Sequence, residues 1–372
     1  MQKNWNSLGL MSGTSGDGVD ASIIKTDGTN QYTLIKDKYF EYNSEIYKDI
    51  HSLKEKIHKI EHLKTFNNEI NILERKITIF HAEIIKELNI SDDTVVGFHG
   101  QTIYHNPEEK ISRQLGNGKL LNQLTNKNIV YDFRKNDIIN EGQGAPLTPV
   151  FHNLICIQNK IKLPVCFLNI GGISNITIIK NENDLSELIS KDIGPGNCLI
   201  DAWVRKNSAK KFDLNGTIAL SGKRNEIIFE QAQELYMNRS NKKKLSFDTN
   251  DFDVSFVRGL NLEDGVTTLT DFTASIISNE LSLSLNSSKE KIQDILLCGG
   301  GRKNKTLIKK IQENLSQNIN LKLIDDYKID GDFIESQAFA FLAIRSLLRL
   351  PISFPGTTGC KKPSLGGVII KN

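Results

Sequence analysis

The sequence predicts an α/β protein of two related lobes, and two observations carry that reading. A glycine- and hydroxyl-rich turn, Met11-Ser12-Gly13-Thr14-Ser15-Gly16-Asp17-Gly18-Val19-Asp20, joins the apolar run Leu8-Gly9-Leu10 to a second one at Val19, Ala21 and Ile23. A turn of the same kind, Asn169-Ile170-Gly171-Gly172-Ile173-Ser174-Asn175, again links an apolar strand to an alternating one. One such turn alone reads as a tight hairpin in which glycine and serine serve turn geometry. Its repetition predicts two lobes facing each other over a nucleotide. Glycines let successive backbone N–H groups converge on an anion, and Ser12, Thr14 and Ser15 add hydroxyl donors. Asp17 and Asp20 lie close enough in sequence to hold a hydrated magnesium ion, which needs only one or two carboxylates.

The remaining elements follow in order. Residues 32–40 read as a third strand, and helical stretches cover about residues 44–59 and 65–88. In the second, Ile70, Leu73, Ile77, Ile84 and Ile85 recur near helical spacing. A short buried strand at 94–98 runs into His99-Gly100-Gln101-Thr102, a polar tetrad at a carboxyl end, where open α/β sheets keep their ligands. A strand over 128–133 ends in Asp132-Phe133-Arg134, and Gly142-Gln143-Gly144-Ala145-Pro146 opens the next helix. That punctuation sets the lobe boundary, with the first lobe at 1–145 and the second at 146–372. The second lobe continues with a helix through Phe151 and Ile155, a strand over 164–170 and the second glycine turn. Asp192-Ile193-Gly194-Pro195-Gly196-Asn197 then leads into a helix carrying Asp201 and Trp203. A buried strand at 292–297 reaches Cys298-Gly299-Gly300-Gly301 and a lysine-rich helix from near Asn304. A strand at 321–324, a helix over about 333–348 and the apolar tail Val368-Ile369-Ile370 complete the chain.

Composition narrows the function classes. The chain has 372 residues, and 47 Lys and Arg against 44 Asp and Glu leave a formal charge of +3. That balance gives no reason to expect a nucleic-acid or membrane-surface partner. Basic patches such as Lys242-Lys243-Lys244 read as solvated loops. Cys156, Cys166, Cys198, Cys298 and Cys360 lack CxxC spacing, which argues against a zinc site or disulfide framework and for a reducing compartment. With no long apolar stretch behind a basic segment, the chain is expected to be soluble and cytoplasmic.

Several loops carry residues suited to chemistry. Asp192, before Gly194-Pro195-Gly196, reads either as a general base held in a cleft or as a cap for the helix near Asn197. His99, Gln101, Arg134 and Gln143 suit sugar hydroxyls, an acetamido group and a carboxylate, for which Arg134 offers bidentate contact. Gly299-Gly300-Gly301-Arg302-Lys303-Asn304-Lys305-Thr306 comes close to GxxxxGK[ST], but Asn304 stands where the second glycine is required. This segment is either an adenosine-side contact or a tight strand-to-helix turn. Glu335 reads as an ordinary acid at a helix start, and His105 has no evident partner.

Taken together, seven segments resemble the anhydro-N-acetylmuramic acid kinase family, within the sugar kinase, actin and heat-shock chaperone fold. They are Gly9-Leu10-Met11-Ser12-Gly13-Thr14-Ser15, His99-Gly100-Gln101-Thr102, Asp132-Phe133-Arg134, Gly142-Gln143-Gly144-Ala145-Pro146-Leu147, Asn169-Ile170-Gly171-Gly172-Ile173-Ser174-Asn175, Asp192-Ile193-Gly194-Pro195-Gly196-Asn197 and Cys298-Gly299-Gly300-Gly301. The resemblance implies a two-lobed, actin-like ATPase of ribonuclease H-like fold, with a nucleotide cleft between the lobes and the last residues able to return to the first. It implies a kinase that opens the 1,6-anhydro ring and phosphorylates the freed O6 with ATP and magnesium, in peptidoglycan recycling. Asp192 is then the base that activates water. Gly13, Thr14, Ser15, Gly16, Asp17, Gly18, Val19 and Asp20 bind ATP with Gly171, Gly172, Gly299, Gly300 and Gly301. Arg134 and Gln143 lie in loops that line the sugar pocket; the residues themselves add His99, Gln101 and Gly144 as candidate sugar contacts and Asp17 and Asp20 as candidate metal ligands. Members are often dimers, so a homodimer is one expectation. Two alternatives share the fold: a kinase of an ordinary amino sugar such as N-acetylglucosamine, and a sugar sensor that binds nucleotide without turnover. The chain departs from the family at Gly16, where a leucine is usual and a looser loop is expected, and in Pro355-Gly356-Thr357-Thr358-Gly359-Cys360, which follows the pattern only loosely.

Overall fold

A computed structural model describes residues 3–238, 246–247, 251–286 and 291–372. The basic patch at Lys242, Lys243 and Lys244 lies outside the described residues. The chain divides into two compact units, Met1–Lys162 with Asn181–Ile189 and Asp332–Asn372, and Leu163–Lys180 with Ser190–Gly331.

The first unit is built on β1 (Trp5–Ser12), β2 (Gly18–Thr26), β3 (Tyr32–Glu41), β4 (Val95–Asn106), β5 (Ile111–Leu115) and β6 (Asn128–Tyr131). The second carries β7 (Val165–Ile170), β8 (Ile173–Ile179), β9 (Ile189–Pro195), β10 (Asp294–Cys298) and β11 (Asn320–Leu323), and the tail strand β12 (Val368–Ile370) pairs with β6. The first sheet runs β12-β6-β4-β1-β2-β3 with β5 on β4, and the second runs β11-β10-β7-β8-β9. Leaving aside β5 and β12, both sheets count 3-2-1-4-5. In each, the first strand pairs antiparallel with the second and parallel with the fourth. This duplicated order is the ribonuclease H-like sheet of actin-like ATPases.

Strand alternation sorts the first sheet into two faces. Leu8, Leu10, Val19, Ala21, Val96 and Phe98 join the core formed with helices Ser44–Lys56 and Asn67–Leu88. On the other face lies helix Ile334–Leu347, buried along nearly its whole length. It approaches so closely that a Cβ on Gly9 would sit 1.9 Å from the Ser336 carbonyl oxygen, and one on Gly97 2.3 Å from that of Phe339. Ser7 Oγ donates to the Ala340 carbonyl at 2.7 Å across the same seam.

Several elements differ from the sequence reading, among them strand β5 and the helices Gly118–Thr125 and Glu226–Met237, which that reading lacks. The tetrad His99-Gly100-Gln101-Thr102 lies inside β4 and not at its end, because β4 continues into a hairpin with β5. The helix expected at 44–59 stops at Lys56, and a separate turn of helix covers Ile60–Thr65. Helix Leu262–Asn286, 25 residues long, has no counterpart in the sequence reading. It is buried almost all round from Gly265 to Ser278, so it lacks the polar stripe that makes a surface helix visible as a pattern.

Because backbone and not a flexible side chain meets the missing Cβ, Gly97→Ala is expected to destabilise the protein by about 1–3 kcal/mol. Chemical denaturation checks this; an unchanged midpoint would mean that the helix is not seated on β4.

Candidate active site

In the first unit, the loop between β1 and β2 is held from three sides. Gly16, buried and at φ +68°, donates its N–H to the Gly13 carbonyl at 3.1 Å. Its absent Cβ would stand 2.9 Å from Ile50 Cγ2, so glycine here fits a packed notch. Lys54 Nζ donates to the Thr14 carbonyl, and Gln101 Nε2 to the Gly13 carbonyl at 3.0 Å. Thr14 and Ser15 stay exposed. Val19 is fully buried in the core, so only its backbone is available to a ligand. The Tyr39 phenol feels the charges of this loop: burial first, then Asp17, Glu41 and Asp20, push its pKa up. Among the described residues no group of three or more His, Cys, Asp or Glu gathers to hold a metal.

A β-bulge organises the neighbouring polar residues. Leu10 pairs with Phe98 but Met11 with Gly100, which leaves His99 as the extra residue. Gly100 takes φ +76°, and a Cβ there would lie 2.3 Å from the Leu115 carbonyl. A bulge shifts the side-chain phase by one residue. His99 therefore packs against Phe339 at 4.5 Å between ring centroids, while Gln101 points to the opposite face, towards Gly16 and Ile50. Gln101 is 0% exposed, and its Oε1 is buried with no hydrogen-bond partner.

The Arg134 guanidinium fixes the state of His99. Nε and Nη2 donate to His99 Nε2 at 3.2 and 3.0 Å, and Nη1 donates to the Gly144 carbonyl at 2.9 Å. An arginine only donates, so Nε2 accepts and the ring proton sits on Nδ1, which gives it to the Gly100 carbonyl at 2.7 Å. Burial, and next the Arg134 charge, hold the His99 pKa well below its ordinary value. The Gln143 N–H donates to the Thr358 carbonyl at 2.8 Å. The structure thus brings together Gly13, Gln101, His99, Arg134, Gln143 and Gly144 through hydrogen bonds and short stretches of chain. His105 finds its partner in Ser112 Oγ, 2.8 Å from its Nδ1.

In the second unit, Asp192 lies on β9, 8% exposed, and its Oδ2 accepts the Phe247 N–H at 2.7 Å. It does not cap the following helix: Cys198–Asn207 has Asn197 as N-cap and no side-chain cap bond. The Gly171-Gly172 turn meets that helix start directly. Gly172 O accepts from Gly196 and Cys198, and Gly171 O from Asn197, at 2.8–3.2 Å.

Gly299-Gly300-Gly301 follows β10, with Gly299 at φ +77° and a short 3-10 turn over Gly300–Lys303. Asn304 explains the broken GxxxxGK[ST] pattern: its Oδ1 accepts the Leu307 N–H at 3.0 Å as N-cap of helix Lys305–Asn314. The triplet is held by Arg302, which the sequence reading missed. Its buried guanidinium forms a two-pronged pair with Asp325 at 2.7 and 2.8 Å, reaches Asp330 at 3.0 Å and donates to the Gly299 carbonyl at 3.1 Å. Lys54 was missed as well, since nothing in its local sequence ties it to a loop 40 residues earlier.

A duplicated sheet with a glycine turn after the first strand of each copy defines the actin-like class of nucleotide-dependent proteins. The profile of the anhydro-N-acetylmuramic acid kinase family matches residues 6–372. The anhydro-N-acetylmuramic acid kinase of Pelagibacter ubique is 58% identical over 375 residues, covering 100% of both chains. Those of Agrobacterium fabrum and Zymomonas mobilis are 34% and 35% identical, each covering 98% of the relative and 98% and 97% of this chain. The chain belongs to the anhydro-N-acetylmuramic acid kinase family.

The buried, neutral His99 predicts an acid-sensitive fold. Below the ordinary histidine value of 6.5 the unfolded chain takes up a proton that folded His99 refuses. Stability is full above that value and falls as the pH drops beneath it, by about 1.4 kcal/mol per pH unit for this group. Buried His81 and His152, held down to about 4 and about 3, add to the same limb. Denaturation across this window should show a shallower acid limb for His99→Gln than for wild type; equal slopes would contradict a neutral His99.

Proposed function

We infer that this chain is an ATP-dependent kinase that opens the 1,6-anhydro ring of anhydro-N-acetylmuramic acid and phosphorylates O6, giving N-acetylmuramic acid 6-phosphate for peptidoglycan recycling. Full-length membership in the family supports the activity. The observation that supports the nucleotide assignment concerns glycines. At most positions glycine is demanded by neighbouring protein atoms, as at Gly16, Gly299 and Gly301. At Gly13, Gly171 and Gly300 it is not: a Cβ would meet nothing closer than 3.9 Å, 3.5 Å and 4 Å respectively. Each of the three glycine loops therefore carries one residue that no neighbouring protein atom obliges to be glycine, which suits the close approach of phosphate or ribose to backbone N–H groups.

In this reading Asp192, oriented by the Phe247 N–H, takes a proton from water as the water oxygen bonds to the anomeric carbon. The C1–O6 bond breaks, and O6 attacks the γ-phosphorus of ATP, releasing ADP. Thr14, Ser15 and the backbone of residues 13–20, Gly171, Gly172 and Gly299–Gly301 hold the nucleotide. Arg134 supplies positive charge for the sugar's carboxylate, alongside Gln143 and Gly144, and His99, whose two ring nitrogens are both engaged, acts by orienting Arg134. Gln101, fully buried, acts through the Gly13 loop it anchors. Asp17 and Asp20, whose charges both bear on the Tyr39 phenol, would supply the one or two carboxylates that magnesium needs, the rest of its shell being water and phosphate oxygens. When bound, magnesium offsets the charge of the transferring phosphates.

Buried free cysteines fit action in the reducing cytoplasm. Among the described residues no helix is long and apolar enough to cross a membrane. Family membership disfavours both the ordinary amino-sugar kinase and the non-catalytic sensor. A homodimer is the assembly we propose.

Incubation with ATP, magnesium and the anhydro sugar should yield a product heavier by one water and one phosphoryl group, and Asp192→Asn should abolish it while retaining ATP binding. A product heavier by phosphoryl alone would point to the ordinary sugar kinase. Gly300→Ala should leave the melting temperature unchanged and raise the KM for ATP several-fold, on the order of 1 kcal/mol of lost binding. An unaltered KM would remove Gly300 from the nucleotide site.

A further inference from the structure

Asp137 is fully buried, 0% exposed, in the short helix Lys135–Ile139, and among the described residues no Lys, Arg or His forms an ion pair with it. Its carboxylate instead gathers neutral donors from two distant parts of the chain. Oδ2 accepts the Gly144 N–H at 2.7 Å. Oδ1 accepts Thr358 Oγ1 at 2.7 Å and Ser353 Oγ. The chain wraps the carboxylate closely: a Cβ on Gly142 would lie 2.2 Å from Oδ2, and the Gly142 N–H donates to the Asp137 carbonyl at 2.9 Å. The Gln143 N–H donates to the Thr358 carbonyl, which doubles the link to the tail. From Gly144 the connection continues, since its carbonyl accepts Arg134 Nη1 and Arg134 donates to His99.

A carboxylate removed from water is costly unless its oxygens are satisfied, and removing one donor leaves charge exposed to an apolar surrounding. Placing one here to hold a loop of three residues is therefore a strong constraint on where that loop sits. Asn140 adds a further tie, its carbonyl accepting the Lys361 N–H at 3.1 Å.

We propose that Asp137 is a positioning residue for the sugar, and that the tail hydroxyls of Ser353 and Thr358 are part of the specificity apparatus although they need touch no ligand. Through the Asp137 carboxylate they set the position of Gln143 and Gly144, and through the Gly144 carbonyl the reach of the Arg134 guanidinium towards the carboxylate of the substrate. This rests on the reading of Arg134, Gln143 and Gly144 as sugar contacts. It explains how a tail remote in sequence enters substrate recognition.

The test uses the full-length enzyme, with steady-state kinetics in each substrate varied separately. Thr358→Val and Ser353→Ala, singly and together, remove donors while keeping shape. The double variant is expected to raise the KM for the anhydro sugar about ten-fold, equivalent to about 1.4 kcal/mol, with the KM for ATP within two-fold of wild type. Asp137→Asn, which still accepts from Gly144 and can donate to the tail hydroxyls, should recover most of the sugar affinity that Asp137→Ala loses. A double variant with wild-type sugar KM, or one in which both KM values rise together, would overturn the proposal. So would a variant that loses only the amount of folded enzyme at constant KM. Should Asp137→Ala fail to fold, the two hydroxyl variants decide the matter alone. Arg134→Lys run in parallel separates the two levels: an unchanged sugar KM there refutes the underlying assignment of the sugar contacts, whereas a raised one with an unaffected double variant refutes only the role of Asp137 and the tail.

Discussion

One additional residue in β4 governs the polar half of the first unit. Had β4 paired with β1 in unbroken register, His99 and Gln101 would project from the same face of the sheet, two residues apart. The bulge at His99, made possible by the left-handed Gly100, breaks that phase. His99 then lies beside Phe339 and accepts from Arg134, while Gln101 turns to the other face and braces the Gly13 carbonyl. One strand thus serves both loops, and the polar residues around each are oriented by backbone geometry that neither loop contains. This also accounts for the buried state of both side chains: they hold the loops in place from beneath.

Glycines fall into two physical kinds here. Gly9 and Gly97 let helix Ile334–Leu347 lie against the sheet, and Gly299 and Gly301 let the chain after β10 pass Asn169 and Ile170. These are demanded by protein packing and would be present whatever the protein bound. Gly13, Gly171 and Gly300 have no such neighbour. A glycine that the fold does not require costs conformational entropy without return inside the protein, and one stands in each of the three glycine loops.

Two buried charges do comparable work by different means. Arg302 is neutralised by Asp325, whose pKa it holds below the usual carboxylate range, and by Asp330, and it spends a remaining donor on the Gly299 carbonyl. Asp137 is satisfied by hydroxyls and an amide. In both cases the charge lies beneath a glycine-containing loop and pins it to a segment far away in sequence. Such pairs rigidify because leaving either partner unsatisfied in a low-dielectric interior is expensive.

The repeated strand, glycine turn and strand at residues 13–20 and 171–172 was legible from residue types alone, because the same glycine-rich turn between apolar strands recurs, whereas either one alone would read as an ordinary hairpin. So were the buried strands and the stripe of helix Asn67–Leu88. Composition could not reveal helix Leu262–Asn286, which is buried on all sides and so lacks a period to detect. Nor could it reveal the bulge, whose signal is a register and not a residue type. Whether Asp192 caps a helix or is held elsewhere was open until the Phe247 N–H appeared as its partner. Arg302, Lys54 and Asp137 were invisible for a common reason: their partners are brought near only when strands and helices pack, and local sequence carries no record of a hydrogen bond closed by the tertiary fold.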